Sequence, residues 1–241
     1  MKRSNILINI QLIAILVLVV FLYSFTSKRN ERRKISKPTI EFLNAECPFV
    51  THEMVNNLLI DNFGGTFSIQ KDRVNLKNIE RTINKHNLIE KSEVFLSVDG
   101  KLKAVIKQKI PIARVFNGNT SFYIDYKGGK MPLSDNFTAR VPLVYGDFNN
   151  RYSRNFVGLL QEIYNDDFLK KNIIGMKILS DGSVVMKNRD YSYDIVFGRT
   201  IYMERKFNNY KAFFQKAVQD TLINSYKKIN LKFTKQVVCT K

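Results

Sequence analysis

The sequence predicts an α+β protein with a single N-terminal transmembrane helix, a strand-helix-helix-strand-strand unit, and a mainly antiparallel β region with flanking helices. Three observations predict it. Residues 6–25 form an uninterrupted apolar-rich run. The stretch after Pro38 changes its hydrophobic period from strand-like to helical and back. Beyond Pro111, short alternating runs separated by turn signals dominate. With 241 residues and 44% hydrophobic content, the chain has enough apolar material for an ordinary core.

Within residues 6–25 the notable uncharged polar side chains are Asn9, Gln11, Tyr23 and Ser24. At about 1.5 Å rise per residue this run makes about 30 Å of helix, the thickness of a bilayer's hydrocarbon layer. A cleaved signal peptide needs a shorter apolar core and a small-residue cleavage site. Phe21-Leu22-Tyr23-Ser24-Phe25-Thr26 offers none. Residues 1–5 then form a short tail before the span, and 26–37 a polar juxtamembrane spacer. Lys2 and Arg3 precede the helix, while Lys28, Arg29, Arg32, Arg33 and Lys34 follow it. Flanking charge alone would keep the C-terminal side in the cytoplasm, so the charges leave orientation open.

Residues 39–43 alternate as a short strand. Thr51 is placed to cap a helix with Met54, Val55, Leu58 and Leu59 on one face and Glu53 in its first turn, stopped by Gly64-Gly65. A second amphipathic helix follows Asn75, with Leu76, Ile79 and Ile83 on its apolar side. Val94, Leu96 and Val98 then share a strand face, Asp99-Gly100 turns the chain, and Leu102, Ala104 and Ile106 return along the same face. Lys101, Lys103, Lys107 and Lys109 point outward in this reading. Further strands are expected at 121–125, 173–179, 183–187 and 191–196, punctuated by Lys127-Gly128-Gly129 and Asp181-Gly182. Helices are expected at 153–164 and 208–225, the latter with Tyr210, Phe213, Phe214, Ala217, Val218 and Leu222 as a stripe. The segments 229–233 and 236–239 read as one or two terminal strands.

The net charge is +18, from 39 Lys and Arg against 21 Asp and Glu. Seven of the bases and one acid precede residue 35, and the rest are spread among apolar residues, as on a solvated basic surface rather than a phosphate-tracking patch. Two cysteines, Cys47 and Cys239, imply no disulfide framework and read as free or buried thiols. Cys47 and His52 lack a third metal ligand, and a Cys47 nucleophile lacks a signature. His86 reads as a satisfied histidine at a helix end. Gly64-Gly65 and Gly128-Gly129 lack the spacing of a phosphate loop, and Asp166-Asp167 reads as a cap or turn. No catalytic residue, metal ligand or cofactor is therefore assigned.

The strand-helix-helix-strand-strand unit is closed by Lys109-Ile110-Pro111-Ile112-Ala113-Arg114-Val115, and Tyr123-Ile124-Asp125 with Gly129, Met131-Pro132-Leu133-Ser134, and Val141-Pro142-Leu143-Val144 with Gly146 follow it. Phe197-Gly198-Arg199, a helix start at Glu204-Arg205-Lys206, and Ile229-Asn230-Leu231-Lys232-Phe233 come next. In this order, and over essentially the whole chain, the segments resemble the FtsQ/DivIB family of bacterial cell-division proteins. The resemblance implies a POTRA domain at 38–110 and a β domain at 111–241. It also implies a non-enzymatic scaffold in the cell inner membrane, with its N-terminus cytoplasmic and its folded domains periplasmic, at the division septum. The implied partners are proteins of the FtsB and FtsL type, with no nucleic acid and no small-molecule substrate. Partner binding maps onto Lys232, Phe233, Thr234, Lys235, Gln236, Val237 and Val238. There a terminal edge strand can accept another chain by strand addition, and Lys232 and Lys235 favour an acidic segment. The alternatives are a membrane-anchored periplasmic cell-wall hydrolase or another envelope binding protein, for which no catalytic motif is present, and a membrane-tethered nucleic-acid binder, which a periplasmic location would exclude.

Overall fold

The computed structural model describes residues 2–31, 33–43, 48–64, 70–71, 74–146 and 153–241; Cys47 and Gly65 lie outside them. Contacts divide the chain into two units, Met1–Ala45 with Val50–Gln108, and Glu46–Phe49 with Lys109–Lys241.

The first unit opens with helix α1 (Lys2–Glu31), whose apolar side chains from Ile10 to Phe25 are exposed on every face, Leu16 at 65%. A helix exposing apolar side chains all round has the character of a membrane span, and Ile10–Asn30 is long and apolar enough to cross. The expected spacer at 26–37 is helical as far as Glu31, because Lys28, Arg29 and Glu31 are good helix formers and no breaker intervenes before Pro38.

Strand β1 (Thr39–Phe42), helices α2 (His52–Asn62) and α3 (Leu76–Asn84), and strands β2 (Ile89–Leu96) and β3 (Leu102–Gln108) follow. The sheet order is β1-β3-β2, with β1 parallel and β2 antiparallel to β3. Thr51 accepts the Met54 amide as the cap of α2, and Asn75 accepts that of Asn78 as the cap of α3. Val55, Leu59, Ile79 and Ile83 are buried with Val94, Leu102, Ala104 and Ile106. Helix α3 also seals one edge of the sheet: Glu80 Oε1 accepts Val94 N at 2.9 Å and Asn84 Oδ1 accepts Ser92 N at 2.6 Å. Val98 departs from the expected strand face and is 75% exposed. Ser97 pairs with Lys101, which leaves Val98, Asp99 and Gly100 as the loop. In that loop the Ser97 hydroxyl, and then the Lys101 ammonium, pull the Asp99 carboxyl down to about 2.

The second unit is built on a nine-stranded sheet in the order β12-β11-β10-β9-β8-β7-β4-β5-β6. Its strands are β4 (Pro111–Asn117), β5 (Thr120–Asp125), β6 (Lys130–Met131), β7 (Leu143–Tyr145), β8 (Ile173–Ile178), β9 (Val184–Asn188), β10 (Asp194–Gly198), β11 (Lys228–Asn230) and β12 (Val238–Thr240). The sheet is mixed: β4–β7, β7–β8 and β10–β11 are parallel. Two of these parallel joints are βαβ crossovers, since α4 (Ser153–Asn165) and α5 (Asp167–Asn172) link β7 to β8, and α6 (Met203–Gln219) links β10 to β11. Phe156, Leu160, Phe207 and Tyr210 from these helices share one core with Ile124, Val144, Met186 and Ile195.

Several boundaries move for identifiable reasons. Asn188 Oδ1 accepts the amides of Asp190 and Tyr191, an Asx turn that holds Tyr191 out of the strand expected at 191–196, which begins at Asp194. Helix α6 begins five residues before the expected Asn208, and Thr221 closes it. With φ 55°, Thr221 lets the Leu222 amide reach back to Ala217 O at 3.1 Å, the work usually given to glycine. Val218 and Leu222, expected in the apolar stripe, are therefore 40% and 43% exposed. Lys109, expected to point outward, is half-buried and lies 3.5 Å from Asp125. The buried Asp125 also accepts the amides of Lys127 and Gly129 at 2.9 and 2.8 Å, and a side chain at Gly129 would collide with its carboxylate.

Asp125→Ala strands two turn amides and is expected to cost about 2–3 kcal/mol, read by chemical denaturation of the detergent-solubilised chain; Asp125→Asn, which retains an acceptor, should lose less. Asp166 caps α5 through the Leu169 amide and pairs with Lys211. Burial would raise its pKa, but Lys211 and the amides of Leu169 and Phe168 outweigh that and hold it below the ordinary range. The folded state thus binds this proton less readily than the unfolded chain. The contribution is complete above about pH 4 and is lost as pH falls through the folded value. Acid titration of stability should be correspondingly flatter in Asp166→Ala.

Candidate protein-docking edge

The terminal segment forms an edge around a short buried strand. Ile229 and Leu231 are buried in the core of the second unit, placing β11 beside β10, with the Leu231 amide donating to Val196 O at 2.9 Å. Strand β12 pairs antiparallel with β11, Ile229 opposite Cys239, and is the last strand of the sheet. Its outer edge pairs with nothing among the described residues. Cys239 is half-buried, and burial raises its thiol pKa.

Of the seven residues assigned to partner binding, only Val238 lies in a strand; Lys232, Phe233, Thr234, Lys235, Gln236 and Val237 form the loop between β11 and β12. The apolar alternation of Ile229, Leu231 and Phe233 imitates a longer strand, yet Phe233 faces solvent at 51% exposure. Val237 and Cys239 pack on the core, whereas Val238 is 39% exposed. The segment from Lys227 to Lys241 contains five lysines and no Asp or Glu, and all five are exposed. An open strand edge, an exposed phenyl ring and concentrated positive charge together suit an extended acidic chain.

Helix α6 positions the loop. Asn209 Nδ2 donates to Thr234 O at 3.0 Å. One turn earlier Lys206 is 2% exposed, with its Nζ donating to Phe197 O at 3.0 Å and Arg199 O at 2.7 Å. Burial lowers its pKa. Gly198 has φ 73°, and a Cβ there would stand 2.8 Å from Lys232 Cγ, so glycine lets the lysine stem lie across the end of β10. Deeper in, Tyr210 accepts from Asn188 at 3.0 Å and its hydroxyl lies 3.0 Å from that of Tyr193.

Sequence reasoning missed Asn209 and the supporting role of Lys206, although Glu204-Arg205-Lys206 had marked the helix start. It also missed Ile201 and Tyr202, which are 50% and 66% exposed just before α6, Tyr202 with φ 53°. No local pattern announces them. Among the other candidates, His52 stacks edge-on to Phe42 at 4.8 Å, and His86 Nδ1 accepts the Leu88 amide at 3.3 Å. The acidic pair at 166–167 belongs to the cap of α5.

Asn209→Ala is expected to free the 232–237 loop while changing global stability by no more than about 1 kcal/mol. Limited trypsin digestion should then cut faster after Lys232 and Lys235.

Comparison with known proteins falls on this part of the chain. No curated protein matches it. The family model described as FtsQ/DivIB, C-terminal related, matches residues 110–240, which covers β4 through β12 and more than half of the sequence. The terminal edge lies inside the matched span. The chain belongs to the FtsQ/DivIB family of cell-division proteins.

Proposed function

We propose that this protein is a non-enzymatic, single-pass scaffold of the division machinery, capturing FtsB- or FtsL-type partners by strand addition to β12. The observation that carries the reading is the open edge of β12 within a segment of five lysines and no Asp or Glu, all but Lys241 inside the family-matched region. Phe233 and Val238 are the apolar contacts, while Lys232 and Lys235 select acidic side chains. Helix α1 anchors the chain in the cell inner membrane, with its N-terminus cytoplasmic and both folded units periplasmic. The strand-helix-helix-strand-strand unit is a POTRA domain. A long folded region can be translocated against flanking charge, which reconciles this orientation with the cations after the span.

Depletion in the native host, with a fluorescent fusion, should give midcell signal and filamentous, unseparated cells. Uniform membrane signal with normal division would sink the scaffold reading. A C-terminal alkaline phosphatase fusion should be active; an inactive one would place the folded units in the cytoplasm. Phe233→Glu should leave circular dichroism unchanged and weaken partner capture by about tenfold or more. Wild-type capture by a folded Phe233→Glu protein would remove this edge as the docking site.

A further inference from the structure

Helix α1 is tied to the first folded unit at the point where its apolar character ends. Arg33 Nη1 donates to Val98 O at 2.8 Å, and Lys71 Nζ reaches Asn30 Oδ1 at 3.4 Å and Val98 O at 3.3 Å. The Ser36 amide donates to Gly100 O at 3.0 Å, and the Lys71 amide to Arg33 O at 3.0 Å. The tip of the β2–β3 hairpin is thereby held beside the last turns of α1. Between them lies a recess whose walls include Tyr23, Phe25, Arg29, Asn30, Arg33 and Val98.

The recess has the chemistry of a bilayer's headgroup layer. Tyr23 is 77% exposed at the end of the apolar run, the position interfacial tyrosines occupy. Val98 exposes an apolar side chain on the opposite wall. Among the described residues, Arg33 and Lys71 bond to an amide oxygen and a carbonyl, neutral acceptors that do not offset their charge. The neighbouring Asp99 is engaged instead by Ser97 and Lys101. Arg29 adds a third cation.

We propose that this recess binds the phosphate headgroup of an anionic phospholipid from the leaflet facing the folded units, with Arg29, Arg33 and Lys71 on the phosphate and Val98 against the upper acyl chain. The proposal rests on the reading of α1 as a membrane anchor. It assigns the hairpin tip a role separate from protein docking.

The test uses the full chain reconstituted in bilayers of equal phosphatidylglycerol and phosphatidylcholine, with trace spin-labelled forms of each read by electron paramagnetic resonance. Wild type should restrict phosphatidylglycerol about five- to tenfold more strongly than phosphatidylcholine. The combined Arg29→Gln, Arg33→Gln and Lys71→Gln variant should lose that preference. Lys28→Gln, Lys34→Gln and Lys37→Gln together remove the same charge outside the recess and should retain it. Equal loss in both variants would show diffuse attraction and overturn the site. If the first variant misfolds by circular dichroism, Arg29→Gln alone, which spares the bonds to Val98, should lose part of the preference; an unchanged preference would overturn the site. Displacement of labelled lipid by soluble glycerol phosphate would assign the recess to a free phosphate and overturn the lipid source. Carbonate extraction of the protein would defeat both the anchor reading and this proposal, whereas an inserted protein without lipid preference defeats the proposal alone.

Discussion

The terminal edge depends on the rotation of α6 about its own axis. Tyr210 fixes that rotation, because its buried hydroxyl joins Asn188 on β9 and Tyr193 just before β10. A helix held only by apolar contacts can roll with little change in buried area, whereas one holding a buried hydroxyl must keep that group bonded. With Tyr210 set, Lys206 falls under the end of β10 and Asn209 meets the loop before β12. Burial raises the pKa of both tyrosines, so neither ionises near neutral pH and the network remains one of neutral hydrogen bonds.

The two sheets treat their edges differently. In the first unit, side chains of α3 occupy amides on the outer side of β2, so another strand would have to displace a carboxylate and an amide to bind there. In the second unit, β12 has no comparable cover among the described residues. It is instead short and flanked by lysines, features that discourage association between like edges while leaving room for an oppositely charged chain. The positive charge of these lysines repels a second copy of the same edge and attracts an acidic strand.

Local pattern carried much of this architecture. The apolar run announced α1, Thr51 and Asn75 announced two helix starts, and Asp99-Gly100 announced the hairpin. Each depends on neighbours in sequence. The parallel joints were less legible because β7 with β8 and β10 with β11 meet only after helical crossovers, although their alternation of strand and helix was visible in principle. At α6, Lys206 looks like a solvated residue until the carbonyls of Phe197 and Arg199 are brought to it. At the far end Thr221 adopts a conformation that its type does not advertise. At the terminal edge, strands read at 229–233 and 236–239 shorten to β11 and β12, because alternation cannot show that Phe233 turns to solvent.

The tie between α1 and the hairpin has a mechanical side. Successive residues of a helix are separated by about 100° around its axis, so Asn30 points in one fixed direction for a given azimuth of the span. Since Lys71 holds Asn30 and Arg33 holds Val98, turning α1 about its axis carries the three-stranded sheet round with it. The join behaves as a crank rather than a swivel, and the azimuth of the helix selects the direction in which each flank of the first unit faces.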